Sequence, residues 1–169
     1  MGNYCMSREG PSLATHGYLE DHDFHNENIV SYQELAEKRM KQLAEVSYNL
    51  LVKLGEDESD GFSGILEVTF SLAAHNSDSI ELDFQGKRIA EILVNGEPAQ
   101  QVKFQGHKII IDGSLFKAGE TNSIRLHFRN TYVTNGAGLH FYTDPKDQKV
   151  YIYSHLEPFF CHRFFPCFD

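Results

Sequence analysis

Phe62-Ser-Gly-Ile-Leu-Glu-Val-Thr-Phe-Ser-Leu72 decides the fold. Phe62, Gly64, Leu66, Val68, Phe70 and Leu72 fall on one side of an extended chain, and Ser63, Glu67, Thr69 and Ser71 fall on the other. A two-residue period is the mark of a strand with one buried face. The same period recurs on both sides of this segment. Upstream, Val46, Tyr48, Leu50, Val52 and Leu54 alternate with Ser47, Asn49 and Lys53, and only Leu51 breaks the polar side. Downstream, Ile80, Leu82 and Phe84 alternate with Glu81 and Asp83, and Ile124, Leu126 and Phe128 alternate with Arg125, His127 and Arg129.

Further strands are expected at Arg88–Val94, around Val102–Phe104, at Ile109–Ile111, at Leu139–Tyr142 and from Val150. Turn residues separate them: Asn76-Ser-Asp78, Gln85-Gly-Lys87, Asn95-Gly96, Gln105-Gly106 and Asp144-Pro145. Asn-Gly between two apolar runs is a strong hairpin signal. Ser31-Tyr-Gln-Glu34 has the form of a capping box, and Leu35, Ala36, Met40 and Leu43 follow at helical spacing, so a short helix is predicted over Tyr32–Ala44. Short strands at regular spacing with no βαβ alternation predict an all-β fold: a mainly antiparallel saddle or β-sandwich with a short N-terminal helix. Residues 1–30 read as a polar leader without period, and residues 31–169 as the folded domain.

At 169 residues the chain can bury a substantial core. A formal charge of −9 without a basic cluster excludes a nucleic-acid partner. The run Glu56-Asp-Glu-Ser-Asp60 reads as a solvated turn. His22 and His25, in His-Asp-Phe-His, cannot close a metal site by themselves. The three cysteines, Cys5, Cys161 and Cys167, form no even disulfide framework, and free buried thiols of a cytoplasmic protein are the expectation. Gly2 and Cys5 are candidate lipidation positions, although the myristoylation pattern wants Ser or Thr where Met6 stands. One acyl chain anchors weakly, so only dual acylation would attach the chain to a membrane.

The final segment, Val150-Tyr-Ile-Tyr-Ser-His-Leu-Glu-Pro-Phe-Phe-Cys-His-Arg-Phe-Phe-Pro-Cys-Phe-Asp169, is too apolar for a solvated tail and must pack on something. Its order, a strand into Glu-Pro and then Arg163 before Phe-Pro-Cys-Phe-Asp, resembles the N-terminal β-saddle of zinc aminopeptidases of the aminopeptidase N kind. Tyr48–Leu54, Gly64–Phe70, Ile80–Phe84, Ile92-Leu-Val-Asn-Gly96, Gly138-Leu-His-Phe141 and Asp144-Pro145 resemble the same family in order, so that the likeness runs from about Ala44 to Asp169.

That resemblance implies a domain truncated before the catalytic domain. The family's His-Glu-x-x-His zinc motif and its Gly-Ala-Met-Glu-Asn-type motif do not occur in these residues, and the chain stops before the Gln-Pro-Asp that follows in the family. No cofactor is expected in this chain, and Zn²⁺ belongs to the missing catalytic domain. The chain alone should be inactive. The resemblance makes Glu157 the residue that binds the peptide α-amino group, and His155 the border of the first side-chain pocket, where many relatives carry Gln. It implies a structural role for Arg163, with Asp169 as a candidate partner. Phe159–Phe168 would meet the catalytic domain or a partner protein. The alternative is a stand-alone, non-catalytic binding or structural module tethered through acylated Gly2 and Cys5. The absence of Trp and the inward alternation of the aromatics disfavour a carbohydrate-binding sandwich.

Overall fold

The computed structural model describes residues 19–20, 32–76 and 78–168. Gly2, Cys5, His22, His25 and Asp169 lie outside the described residues. The elements run β1 (Leu19–Glu20), α1 (Tyr32–Gln42), β2 (Leu43–Leu54), β3 (Phe62–Leu72), β4 (Ile80–Asp83), β5 (Arg88–Val94), β6 (Glu97–Pro98), β7 (Val102–Gln105), β8 (Lys108–Ile111), β9 (Thr121–Asn130), β10 (Gly138–Thr143) and β11 (Val150–His155). The fold is all-β and antiparallel, with one short helix ahead of the long strands.

A large sheet has the strand order β1-β5-β9-β3-β2, with β6 beside β5, and a three-stranded sheet has the order β4-β8-β7. β10 and β11 form a separate hairpin. The period-2 faces meet between the two sheets. Leu66, Val68, Phe70, Ile80, Leu82, Phe84, Ile109, Ile111, Ile124 and Leu126 are fully buried there. Each such side chain contributes roughly 1.5–3 kcal/mol through removal from water. The Asn95-Gly96 turn closes β5 on β6 with both residues at positive φ, 52° and 86°, the geometry for which Asn-Gly is selected.

α1 ends at Gln42, two residues before the predicted end, and runs straight into β2. Its last residue is locked there, because the Gln42 carbonyl accepts from Ala73 N at 2.9 Å and its side-chain Nε2 donates to Asn76 Oδ1 at 2.9 Å. Glu34 in the first turn and Arg39 and Lys41 in the last match the helix dipole. Within the stretch that lacks sequence period, Leu19 and Glu20 pair with Ile89 and Arg88 at the far edge of the large sheet. β2 differs from its predicted half-buried state: Leu50 and Val52 are half-buried, but Val46, Tyr48 and Leu54 are exposed, since β2 is the other edge of that sheet.

Candidate functional site

β11 and the turn behind it carry both sequence-predicted site residues. The β10–β11 hairpin seats one face on the core through Leu139, Phe141 and Ile152, with Phe141 against the Tyr132 ring at 5.0 Å. Its other face is nearly all rings: His140 opposite Tyr153, and Tyr142 opposite Tyr151, with His155 next along β11. Tyr142, Tyr151 and Tyr153 are exposed, and the His140 and Tyr153 rings touch at 4.7 Å. The Asp144-Pro145 turn closes the hairpin: Asp144 N donates to Lys149 O, and Gln148 N donates back to Asp144 O.

His155 is exposed on the last position of β11, with Nδ1 at 3.0 Å from the Gly136 carbonyl oxygen. That contact makes Nδ1 the donor and leaves Nε2 as the acceptor nitrogen of the neutral ring. Glu157 follows in a turn, is exposed, and is joined to Pro158 by a cis peptide bond. Among the described residues no hydrogen bond or ion pair engages its carboxylate. The Phe159 and Phe160 rings meet at a tilt, 5.1 Å apart, and Phe160 carries the Arg163 guanidinium on its ring at 4.9 Å.

The segment that follows is docked tightly. Asp83 N donates to Cys167 O at 2.8 Å and Cys167 N to Asp83 O at 3.0 Å, a two-bond antiparallel bridge onto the end of β4. Gln85 N donates to His162 O, and the buried Asn130 amide donates to both Gln85 O and Arg163 O at 2.9 Å. Gly138, at φ 110°, opens β10 against this turn. Its positive φ strains any side chain there, and a Cβ would also crowd Arg163 Cβ at 3.1 Å, so glycine is favoured. Phe164, Phe165 and Phe168 pack half-buried on the core, with Phe168 edge-on to Phe70 at 5.6 Å. Cys161 is half-buried and Cys167 buried, and among the described residues neither forms a disulfide.

Two further residues clamp the segment, and sequence reading did not single them out. Arg39 Nη1 binds Asp83 Oδ2 at 2.6 Å, its Nη2 donates to Glu81 O at 2.9 Å, and its guanidinium lies 5.7 Å from the Phe168 ring centroid. The Tyr48 hydroxyl accepts from Phe168 N at 2.9 Å, and its ring meets Phe165 edge-on. Burial pushes the Tyr48 hydroxyl up to about 12, against the opposing pull of that hydrogen bond. Asn130 did leave a sequence signal: it is a polar residue in phase with the apolar inner face of β9.

Among the described residues no group of three or more His, Cys, Asp or Glu is placed to share a metal ion, so none is assigned as a zinc ligand. Among them, too, no helix is long and apolar enough to cross a membrane.

The chain belongs to the peptidase M1 N-terminal domain family, whose model matches residues 44–169. It is 27% identical over 139 residues to aminopeptidase N of Streptomyces lividans, a match that takes in 81% of this chain and 16% of that protein. Its fold is similar to that of native leukotriene A4 hydrolase from Saccharomyces cerevisiae, with a TM-score of 0.59 and 21% identity over 77% of this chain and 22% of that one. The yeast hydrolase in complex with bestatin gives the same TM-score at 18% identity, over 83% of this chain and 25% of that one. The chain thus spans a quarter or less of the length of these relatives.

Proposed function

We propose that this domain forms one wall of the substrate cleft of a zinc aminopeptidase, with Glu157 binding the peptide α-ammonium and His155 bordering the pocket for the first side chain. The observation that carries the reading is an exposed, uncommitted carboxylate on a turn fixed at both ends, by the β10–β11 ladder before it and the Asp83–Cys167 bridge after it. A carboxylate held in place and left unpaired is suited to an incoming ammonium, and closure of a cleft over it would strengthen the attraction. The zinc, when bound by a catalytic domain, would polarise the scissile carbonyl and activate water. This chain's part is to hold the amine.

The reading is tested in two stages. The coding frame should continue past Asp169 into a His-Glu-x-x-His motif; a stop codon at that point overturns it. In the enzyme so encoded, Glu157→Gln should lower kcat/KM for an aminoacyl amide by about 10- to 100-fold, as expected for loss of a charge-assisted hydrogen bond. The melting temperature should stay put, because Glu157 is exposed. An unchanged kcat/KM would remove Glu157 from the site.

A further inference from the structure

The outer face of the large sheet, turned away from the core, holds a groove of about 750 Å³ whose lining includes Leu51, Lys53, Ser63, Ile65, His127 and Arg129. The strand register arranges these residues in two rows. Lys53 pairs with Ser63 and Ser63 with Arg129, which makes a cationic row with a hydroxyl at its centre. Leu51 pairs with Ile65 and Ile65 with His127, which makes a largely apolar row beside it. Strands lie ~4.8 Å apart, so the Cα atoms of Lys53 and Arg129 are roughly 10 Å apart with Ser63 between them. Two residues along a strand is ~7 Å, which is the separation of the two rows.

The cations are available. Arg129 Nη2 donates to the Asp60 carbonyl oxygen at 3.1 Å, a neutral acceptor that orients the guanidinium without cancelling its charge. Among the described residues neither Lys53 nor Arg129 forms an ion pair. His127 is turned to Glu91, with Nε2 at 3.4 Å from the carboxylate. Leu51 is 66% exposed, the most exposed large apolar side chain among the described strand residues, and it belongs to the apolar row. Glu56 and Asp60 line the loop end of the same groove. Their charge disfavours a dianion such as phosphate and tolerates a single negative charge.

We propose that this groove binds a small carboxylate with an apolar chain. The head group would sit over Ser63 between Lys53 and Arg129, and the chain would lie along Leu51 and Ile65. The site is on the opposite side of the large sheet from the core and is independent of the amine-binding reading of Glu157.

The test is titration of the 169-residue chain with decanoate, below its micelle concentration, by calorimetry and amide NMR. The expected result is saturable binding with shifts centred on residues 51–54, 63–65 and 127–129. Lys53→Gln combined with Arg129→Gln should weaken it at least tenfold, about the loss expected for charge-assisted bonds. Leu51→Ser should weaken it severalfold, and Glu157→Gln should leave it unchanged. All of these side chains are exposed or half-exposed, and an unchanged melting curve verifies that each variant is folded. Decanol binding as tightly as decanoate overturns the proposal by showing a merely apolar patch. Acetate or inorganic phosphate binding as tightly overturns it from the other side, and so does a double variant that binds decanoate like the parent chain or the absence of saturable binding.

Discussion

β2 and β3 are adjacent strands with the same two-residue period, yet they occupy different environments. Leu50 of β2 and Leu66 of β3 face each other in the ladder. Leu66 is fully buried and Leu50 only half so. β3 has a strand on each side, and the three-stranded sheet packs over its inner face. β2 is an edge, and what reaches its inner face is not a strand but the aromatic tail, through Phe165 and Phe168 at Tyr48. Period decides which way a side chain points; place in the sheet decides how much water it loses.

The sharpest way to break this comparison is to truncate both members of the pair. Leu66→Ala should destabilise the chain by about 3–5 kcal/mol, since a closed core cannot collapse onto the cavity. Leu50→Ala should cost less than about 2 kcal/mol, because solvent already reaches one side. Urea unfolding monitored by circular dichroism reads both. Equal losses would mean that β2 is covered as well as β3.

A second substitution asks what closes the sandwich beyond β2. Arg39 and Asp83 keep 10% and 16% of their side-chain surface exposed, and the pair ties α1 to β4 beside the docked tail. Arg39→Ala leaves a largely desolvated carboxylate unpaired and takes the cation from the Phe168 ring, a loss of about 3 kcal/mol. Adding Asp83→Asn should restore part of it by removing the stranded charge. Hydrogen exchange should accelerate more at residues 164–168 than in β3 or β9. A uniform rise across the sheet would show that α1 supports the whole domain rather than this corner.

These contrasts separate what was legible in the sequence from what was not. The strands, the inner faces of β3, β4 and β9 and the Asn95-Gly96 hairpin follow from local period and turn chemistry, and the structure bears them out, whereas the inner face of β2 is largely exposed. The tail's need for burial followed from its composition, but its address did not. Arg39 with Asp83, Tyr48 with Phe168 and Asn130 with Arg163 are partners separated by dozens of residues, and they meet only after the two sheets pack. Tyr48 looked like one more inward residue of a half-buried strand, and its partner lies 120 positions away. For Glu157 the order was reversed: the family wording singled it out, whereas an exposed Glu before Pro carries no local signal of function.

Tyr48 gives the smallest and most specific effect. The pKa of its hydroxyl, 10.0 for an ordinary tyrosine, rises to about 12 in the folded chain, chiefly through burial. A group whose pKa is raised on folding favours the native state in its protonated form. That contribution is intact below pH 10 and is lost as pH climbs through about 12. Ionised Tyr48 could still accept from Phe168 N, so the penalty lies in placing the charge among Phe165, Phe168 and the two thiols. Tyr48→Phe removes the titration together with the acceptor for Phe168 N. At neutral pH it should cost about 1 kcal/mol or less, the typical worth of one exchangeable hydrogen bond. Between pH 10 and 12 its stability should fall less steeply than that of the parent, by about one proton in the slope. Burial also raises Tyr132, whose hydroxyl is tied to Gly55, and so preserves a residual slope in the variant. Parallel alkaline limbs for parent and variant would mean that the tail leaves Tyr48 before its proton does, and that the edge of the sandwich is looser than its core already under neutral conditions.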